Sequence, residues 1–445
     1  MRTTITSLFL ILTWLVQAQE STPYSFSLDQ AIAHALEHNY SAINANRDIV
    51  DAQKQKWETI ADGLPQISGA ISYQNQLKQP VSQIPAEFFP DGEPGTFVEV
   101  VFGQAQSASA TATLTQQIFD GSYIVGVQAT KAFLSFSQNN KEKTELDVRK
   151  SVVEAYGNVL LAQESVLISE NNKATLEKNL YETQKIFENG LGDEESVDQL
   201  KITLSSVENQ LKNAKRLEKI TLQMLNLVLG LPIETSTVLT ENLDDLTQRQ
   251  IDFGLLDSSF NIENNVDYKL AINQEEQRYF EHKLAKSRAL PTLNAFVNYG
   301  GNSFSDSFNF LSSGQQWFGS SVLGFDLNIP IFSSLKRSAG TQRAKIALEK
   351  ARTQLNEAEE QIRLQLESAK SDYILSIEEY GTSKENLSLA ERIENKNQVK
   401  YTEGLATSFE LRQAQTQLYS TQQEYLQSMV DVINKKTELE NILNK

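Results

Sequence analysis

The sequence contains one arrangement of elements twice, and this duplication constrains the fold more than any other feature. Residues 37–119 and residues 263–332 are each predicted to run from a helix through a Leu-Pro step into two strands separated by a long loop. Leu64-Pro65 and Leu290-Pro291 mark the same point in the two copies. Each copy is followed by about 100 residues of heptad-patterned helix, a repeat too long for a solenoid unit, so the sequence indicates a duplicated half-protein.

Four segments follow from this duplication. Residues 1–18 resemble a secretory signal peptide, with a basic start at Arg2, a short apolar run and a small-residue cleavage pattern. The apolar run is too short to span a bilayer, so we expect cleavage and export. The other three segments are a first structural repeat over 19–229, an irregular equatorial connection over 230–262 and a second structural repeat over 263–445. A flexible linker is the alternative interpretation of the connection.

The strands of both copies alternate between apolar and polar residues. The apolar faces are predicted to carry Ile67, Ile71, Tyr73, Ala110, Leu114, Leu293, Val297, Leu323 and Phe325. Four strands of about ten residues are long enough to cross an outer membrane when tilted. Four strands cannot close a barrel, because about eight are needed, so the sheet requires another sheet or other copies of the chain. Two soluble hairpins with water on the polar side are the alternative.

Helices account for most of the remaining sequence. Ser27, with Gln30 three residues later, is predicted to begin a helix that continues to Asp62. Two long helices are predicted over 123–189 and 335–401, each followed by a turn and a return helix. The first return helix has apolar residues at alternating spacings of three and four, namely Val197, Leu200, Leu204, Val207, Leu211 and Ala214. Residues 77–103, rich in Pro, Gly and Gln, are predicted to be a loop.

Composition excludes several classes of function. The net charge of −17 and the pI of about 4.8 argue against a nucleic-acid partner. The absence of cysteine excludes disulfides, thiolate metal sites and lipid attachment at an N-terminal cysteine. His34 and His38 have ligand spacing on a helix, but no third ligand accompanies them, so we expect a solvated pair. No P-loop, nucleophile elbow or dinucleotide fingerprint is present. We therefore expect no catalytic, metal or cofactor site.

The order of these features resembles the TolC family of bacterial outer-membrane efflux proteins. The resemblance rests on the duplicated Leu-Pro, the strand ends Gln117-Ile118-Phe119 and Pro330-Ile331-Phe332, and the Gly-Leu turns at Gly190-Leu191 and Gly404-Leu405. It implies a mixed α and β membrane protein of the Gram-negative outer membrane. Long coiled-coil hairpins would form a periplasmic α-helical tunnel, and four strands from each chain of a homotrimer would form a twelve-stranded β-barrel in outer-membrane lipid. Residues 197–229 would stack end to end on residues 264–288.

The same resemblance implies a passive conduit for small molecules or polypeptides. Such a channel belongs to a tripartite efflux pump or a type I secretion system. Its partners are a periplasmic adaptor (membrane fusion) protein and an inner-membrane transporter of the proton-driven or ABC type. A soluble periplasmic coiled-coil scaffold or adaptor is the alternative function.

Candidate site residues lie in the two Gly-Leu turns. Tyr401, Glu410 and Asp198 are candidates for the periplasmic gate and pore, because the family has an aromatic gate and pore-facing acids here. Acids at a helix start also stabilise the helix locally, which is the alternative role. Ala406 and Gln413 depart from the family pattern, in which a basic and an acidic residue occur. The candidates for adaptor docking are Gly190, Leu191, Gly404 and Leu405, although glycine also terminates helices for local reasons.

Overall fold

The computed structural model describes residues 24–445, so the predicted signal peptide lies outside the described residues. The chain divides into two compact units. The first contains the residues up to Ile49, together with Ser137–Ile272 and Leu355–Lys445. The second contains Val50–Phe136 and Asn273–Gln354.

The long helices and the four strands of the sheet follow one another along the chain in the predicted order, and several short elements lie between them. The helices are α1 (Leu28–His38), α2 (Tyr40–Ala61), α3 (Gly121–Glu188), α4 (Glu194–Val228), α5 (Leu243–Gln250), α6 (Val266–Ser287), α7 (Lys336–Thr402) and α8 (Ser408–Leu443). The strands are β1 (Tyr24–Phe26), β2 (Gln66–Asn75), β3 (Val81–Pro85), β4 (Phe97–Val101), β5 (Gln106–Asp120), β6 (Thr237–Leu239), β7 (Thr292–Ser305) and β8 (Phe318–Asn328). Three short 3₁₀ turns cover Ala86–Phe88, Phe253–Leu255 and Ile262–Asn264. No helix within residues 24–445 is both long and apolar enough to cross a bilayer.

The second unit contains a four-stranded antiparallel sheet in the order β2-β5-β7-β8. Directly paired residues of an antiparallel sheet share a face, so the register tests the predicted alternation. One rung of the sheet places Ile67, Leu114, Val297 and Leu323 side by side. The next rung places Ser68, Thr113, Asn298 and Val322 on the opposite face. The apolar and polar faces are thus confirmed, with Val322 and Phe296 among the exceptions on the polar face.

The segment predicted as the loop 77–103 contains a β-hairpin, so this prediction was wrong in part. β3 and β4 pair from Val81 with Val101 to Pro85 with Phe97. Val, Ile and Phe favour a pleated strand, and this preference outweighs the turn-forming composition of the segment around them. Pro85 stands at the end of β3, where its missing N–H costs little.

The helix predicted from Leu28 to Asp62 is interrupted at Asn39. The capping box of Ser27 and Gln30 is confirmed. Asn39, however, has an extended ψ of 137° and ends α1. Its Oδ1 accepts hydrogen bonds from the backbone N–H groups of Ser41 (2.8 Å) and Ala42 (3.4 Å), so Asn39 starts α2 as an N-cap residue. The break therefore comes from a side chain that competes with the helical hydrogen bonds.

Return helices meet other helices end to end, but not in the predicted pairing. The side-chain amide of Asn39 donates to the carbonyl of Val228, the last residue of α4, over 2.7 Å. The amide of Asn265 donates to the carbonyl of Ile442 near the end of α8 over 2.9 Å. Within one chain, α4 therefore ends at the start of α2, and α8 ends at the start of α6. The expected stacking of 197–229 on 264–288 was wrong, because each capping asparagine binds the return helix of its own repeat.

Long helices make up most of the first unit, and their buried apolar residues form one large cluster and a smaller one around Leu176, Leu200 and Val207. α3 and α7 extend over 68 and 67 residues and agree with the predicted long helices to within about two residues. The predicted seam of α4 is confirmed, since Val197, Leu200, Val207 and Ala214 are buried and Leu204 and Leu211 are half-buried. In α7, a series of residues with the same spacing of three and four is likewise buried or half-buried, namely Ala344, Leu348, Ala351, Leu355, Ala358 and Ile362.

The connection over 230–262 is ordered and packed. β6 pairs in parallel with β1, and Leu243, Leu246 and Leu255 are buried in the core of the first unit. Tyr425 of α8 donates a hydrogen bond from its hydroxyl to Asp244 over 2.9 Å. The connection is therefore attached to the core and does not behave as a flexible linker.

Candidate functional site

The two Gly-Leu turns have the same backbone geometry. Gly190 and Gly404 have φ values of 76° and 69°, in the left-handed region that favours glycine. The N–H of Leu191 bonds the carbonyl of Ile186 over 3.0 Å, and the N–H of Leu405 bonds that of Lys400 over 2.7 Å. These hydrogen bonds satisfy carbonyl groups that the helix ends leave open, as in a Schellman motif. Glycine is therefore required here by the backbone.

Both leucines of these turns point into solvent. Leu191 is 83% exposed and Leu405 is 75% exposed. Burying such a side chain is worth about 1.5–3 kcal/mol, so an exposed leucine at a turn is available to a partner. Gly190 and Gly404 have open space where a side chain would stand. Each turn thus presents one exposed leucine beside a glycine that leaves the backbone uncovered.

Capping residues start the helices that follow the turns. The carboxylate of Asp193 accepts from the N–H of Ser196 over 2.7 Å, and this bond and a second from the Ser196 hydroxyl hold the pKa of Asp193 below its ordinary value. Thr407 caps α8 and forms a capping box with Glu410.

Glu410 is bound within this capping box. Its carboxylate accepts from the backbone N–H of Thr407 over 2.8 Å and from the Thr407 hydroxyl over 3.0 Å. The backbone hydrogen bond is the main reason why the pKa of Glu410 lies below its ordinary value. The carboxylate is exposed and charged. The structure therefore gives Glu410 a local role in starting α8, which is the alternative stated above.

Asp198 does not occupy the position in α4 that Glu410 occupies in α8. In both turns the capping residue, Asp193 or Thr407, follows the glycine by three residues. Counted from the capping residues, Ser196 therefore matches Glu410, and Asp198 matches Arg412. Asp198 pairs with Lys201 over 3.1 Å, and both side chains are more than half exposed. A surface ion pair of this kind contributes little to stability.

Tyr401 joins the two hairpins. Its hydroxyl lies 2.9 Å from the hydroxyl of Thr183 on α3. One turn further from the tip, Asn179 of α3 and Gln398 of α7 exchange two amide hydrogen bonds of 2.8 and 2.9 Å. Sequence reasoning missed this amide pair, because Asn and Gln occur at many helical positions and nothing marks two of them as partners.

A groove of about 750 Å³ lies between the two turns. The hydroxyl of Ser196 donates to the hydroxyl of Ser408 over 3.1 Å, and the hydroxyl of Ser408 donates to the amide oxygen of Gln199 over 2.9 Å. These side chains line the groove and connect α4 to α8. The groove is lined by Ile186, Leu191, Asp193, Glu195, Glu403 and Phe409, among others. It combines apolar side chains with carboxylates.

The histidine pair makes contacts with aromatic rings. The rings of His34 and His38 stack with centroids 4.1 Å apart, and His34 also lies 5.2 Å from the ring of Phe26. Burial is the main reason why the pKa of His34 lies below its ordinary value. Within residues 24–445, no group of three or more His, Asp or Glu side chains is arranged to hold a metal ion.

Solved structures share this fold over nearly the whole chain. The outer membrane protein VceC of Vibrio cholerae is 17% identical, with a TM-score of 0.70 over 94% of this chain and 96% of VceC. The outer membrane channel CmeC of Campylobacter jejuni is 16% identical, with a TM-score of 0.71 over 94% of this chain and 85% of CmeC. The open state of the MtrE outer membrane channel of Neisseria gonorrhoeae is 17% identical, with a TM-score of 0.71 over 94% and 88%. At these identities the likeness establishes the fold.

Sequence comparison establishes the family. A comparison with curated proteins found no match. The profile of the family described as outer membrane efflux protein, however, matches residues 31–231 and 262–445, which together make up most of the chain. The two matched segments also correspond to the two repeats, and the unmatched residues between them lie in the connection. The chain therefore belongs to the outer membrane efflux protein family.

Proposed function

We propose that this chain is the channel of a tripartite efflux pump or of a type I secretion system, acting as a passive conduit without chemistry of its own. The main support for this proposal is the four-stranded sheet. Its edge strands, β2 and β8, contain 10 and 11 residues and pair on one side only within the described chain. Unpaired edge groups are costly in a membrane. Three copies would supply twelve strands and close the sheet.

The return helix α4 supports association of several copies. Leu217, Ile220, Met224 and Leu227 follow one another at spacings of three and four, and each is about half exposed. This spacing places them on one face of the helix. An exposed apolar stripe of this kind is typical of an interface. We assign it to the homotrimer that would build the periplasmic tunnel.

We assign the exposed leucines of the turns to a periplasmic adaptor protein. Leu191 and Leu405 stand beside the groove, whose carboxylates would be complementary to a basic rim on the adaptor. An inner-membrane transporter, proton-driven or ABC, would supply energy. Tyr401, Glu410 and Asp198 remain candidates for the gate and pore, since Tyr401 connects the hairpins and both acids are exposed. Membership of the efflux family gives the alternative of a soluble scaffold no support.

The proposal is tested in a strain from which the gene is deleted. Restoring the gene should return the protein to the outer-membrane fraction and restore resistance to toxic compounds. Leu191→Ser combined with Leu405→Ser should leave the amount of membrane protein unchanged and remove most of the restored resistance. Leu77→Ser is the matched control, because Leu77 is 95% exposed in the loop after β2. Full resistance with both tip leucines replaced would contradict the docking assignment, and recovery of the protein without detergent would contradict the channel.

A further inference from the structure

One acidic side chain lies in a half-buried position between α7 and α8. Glu394 is about two turns before the end of α7, and Gln415 is about two turns after the start of α8. Gln415 is 1% exposed. Its Nε2 lies 3.5 Å from Oε1 of Glu394, at the outer limit of a hydrogen bond. The two side chains face each other across the hairpin below the tip.

The amide of Gln415 is only half satisfied in this arrangement. Its Oε1 is buried and has no hydrogen-bond partner. A buried acceptor without a donor is costly. A carboxylate has no proton to donate, so ionised Glu394 cannot correct this, whereas a protonated carboxyl group has one O–H donor. One added proton would therefore supply the missing donor.

We propose that Glu394 and Gln415 form a proton-dependent latch that fastens α7 to α8 below the tip. With Glu394 protonated, its O–H donates to Oε1 of Gln415 while Nε2 of Gln415 donates back. The chain already contains a reciprocal pair of this shape, between Asn179 and Gln398. With Glu394 ionised, one of the two hydrogen bonds is lost.

The surroundings of Glu394 favour proton uptake. Burial is the main reason why the pKa of Glu394 lies above its ordinary value, and the hydrogen bond from Gln415 opposes this shift. On α8 the ionisable group that faces it is Tyr419, whose own pKa is raised by burial first and by the charge of Glu394 second. On α3, Lys173 pairs with Glu177 (3.5 Å) and Glu208 (3.2 Å) and is not among the groups that shift the pKa of Glu394. None of the groups that shift the pKa of Glu394 is a cation.

The consequence for the channel rests on the function proposed above. Acidification of the periplasm would close the latch and stiffen the hairpin two turns from the turn at Gly404. The latch itself can be measured on the purified full chain, without transport. Failure of the latch and failure of the proposed function are therefore distinguishable.

The test is the thermal unfolding midpoint of the detergent-purified protein between about pH 5 and pH 7.5. Gln415→Met removes both halves of the reciprocal pair. It should lower the midpoint by roughly 1–3 °C at the acid end of this range, where more of Glu394 is protonated. Its effect should be smaller at pH 7.5, where the loss of the Nε2 hydrogen bond is offset by removal of the unsatisfied Oε1. Glu394→Gln should imitate the protonated state and remove this pH dependence. Glu391→Gln, an exposed acid of α7, is the matched control and should leave it unchanged.

Two results would overturn the latch. In the first, Gln415→Met shifts the midpoint equally at both pH values. In the second, Glu394→Gln and Glu391→Gln behave alike over the whole range. Amide hydrogen exchange over residues 388–420, compared between wild type and Glu394→Gln at each pH, locates the effect. If the latch exists, the difference in exchange rate between wild type and Glu394→Gln disappears toward acid pH.

Discussion

The side-chain amide of Asn39 lies 2.7 Å from the carbonyl of Val228, and Asn265 makes the same contact with Ile442 over 2.9 Å. Each asparagine caps one helix with its oxygen and binds the end of another helix with its nitrogen. The backbone carbonyls at the end of a helix have no intrahelical partners, so a donor placed there satisfies one of them. Each repeat thus uses an asparagine to join its return helix to the helix that leads into the sheet.

Replacing Asn39 should separate the two helix ends. Asn39→Ala removes the N-cap of α2 and the bond to Val228, and should cost about 1–2 kcal/mol. Asn39→Ser keeps a capping oxygen but lacks the amide donor, so its cost should be smaller. The thermal unfolding midpoint measures both. Asn46→Ala, on an exposed position of α2, is the control; an equal cost there would show that the asparagine contact is not responsible.

Gly230 should be among the least replaceable residues of the chain. Its φ is 76°, and a Cβ placed there would lie 2.1 Å from the carbonyl oxygen of His38. Gly230→Ala should destabilise the protein by more than about 2 kcal/mol, since backbone strain and a backbone clash act together. Gly381→Ala is the matched control, because its Cβ would meet no atom within 4 Å, and this variant should be stabilising by about 0.5–1 kcal/mol. Equal effects of the two variants would contradict this interpretation.

Phe296 lies on the polar face of β7, and its ring covers the glycine that pairs with it. Gly324 stands opposite Phe296 in the register, and a Cβ on Gly324 would lie 2.4 Å from the ring. Gly324→Ala should therefore displace the ring and lower the heat resistance of the detergent-solubilised protein. The double variant with Phe296→Ala should recover part of the loss. Gly319→Ala, whose Cβ would lie 3.9 Å from the nearest atom, should be tolerated. No recovery in the double variant would exclude the ring as the cause.

The capping box of Glu410 should weaken in acid. Because its pKa in the folded protein lies below the ordinary value of 4.5, its contribution is fully present above 4.5 and is lost as the pH falls through the folded pKa. Amide protons of residues 408–412 should exchange more slowly in wild type than in Glu410→Gln at pH 7. This difference should vanish at low pH. Glu403→Gln, in the same turn but outside the capping box, serves as control, and a difference that persists at low pH would contradict the account.

The sequence predicted the long-range order of the fold because periodicity survives over many residues. The heptad spacing of α4 and the alternation around Ile67 and Val297 are properties of a whole element, and both were confirmed. The glycine turns were predicted for a similar reason, since the left-handed backbone at Gly190 and Gly404 restricts the residue type.

Interactions between two individual side chains could not be predicted. The contact of Asn39 with Val228 and the pairing of Asn179 with Gln398 each depend on where a second element lies, and the amide group gives no sequence signal of this. The short hairpin of β3 and β4 was missed because five-residue strands are too short for alternation to separate them from a loop. Charge alone does not align the two turns, because Asp198 lies five residues after its capping residue Asp193, whereas Glu410 lies three residues after Thr407.

The central claim is that the sheet of one chain is completed by other copies. Light scattering of the detergent-purified protein tests it most directly, with the detergent contribution subtracted. A homotrimer would give a protein mass of about three times the 50.0 kDa chain, slightly reduced by loss of the signal peptide. A stable, folded species with the mass of one chain, in which β2 and β8 remain unpaired, would contradict it.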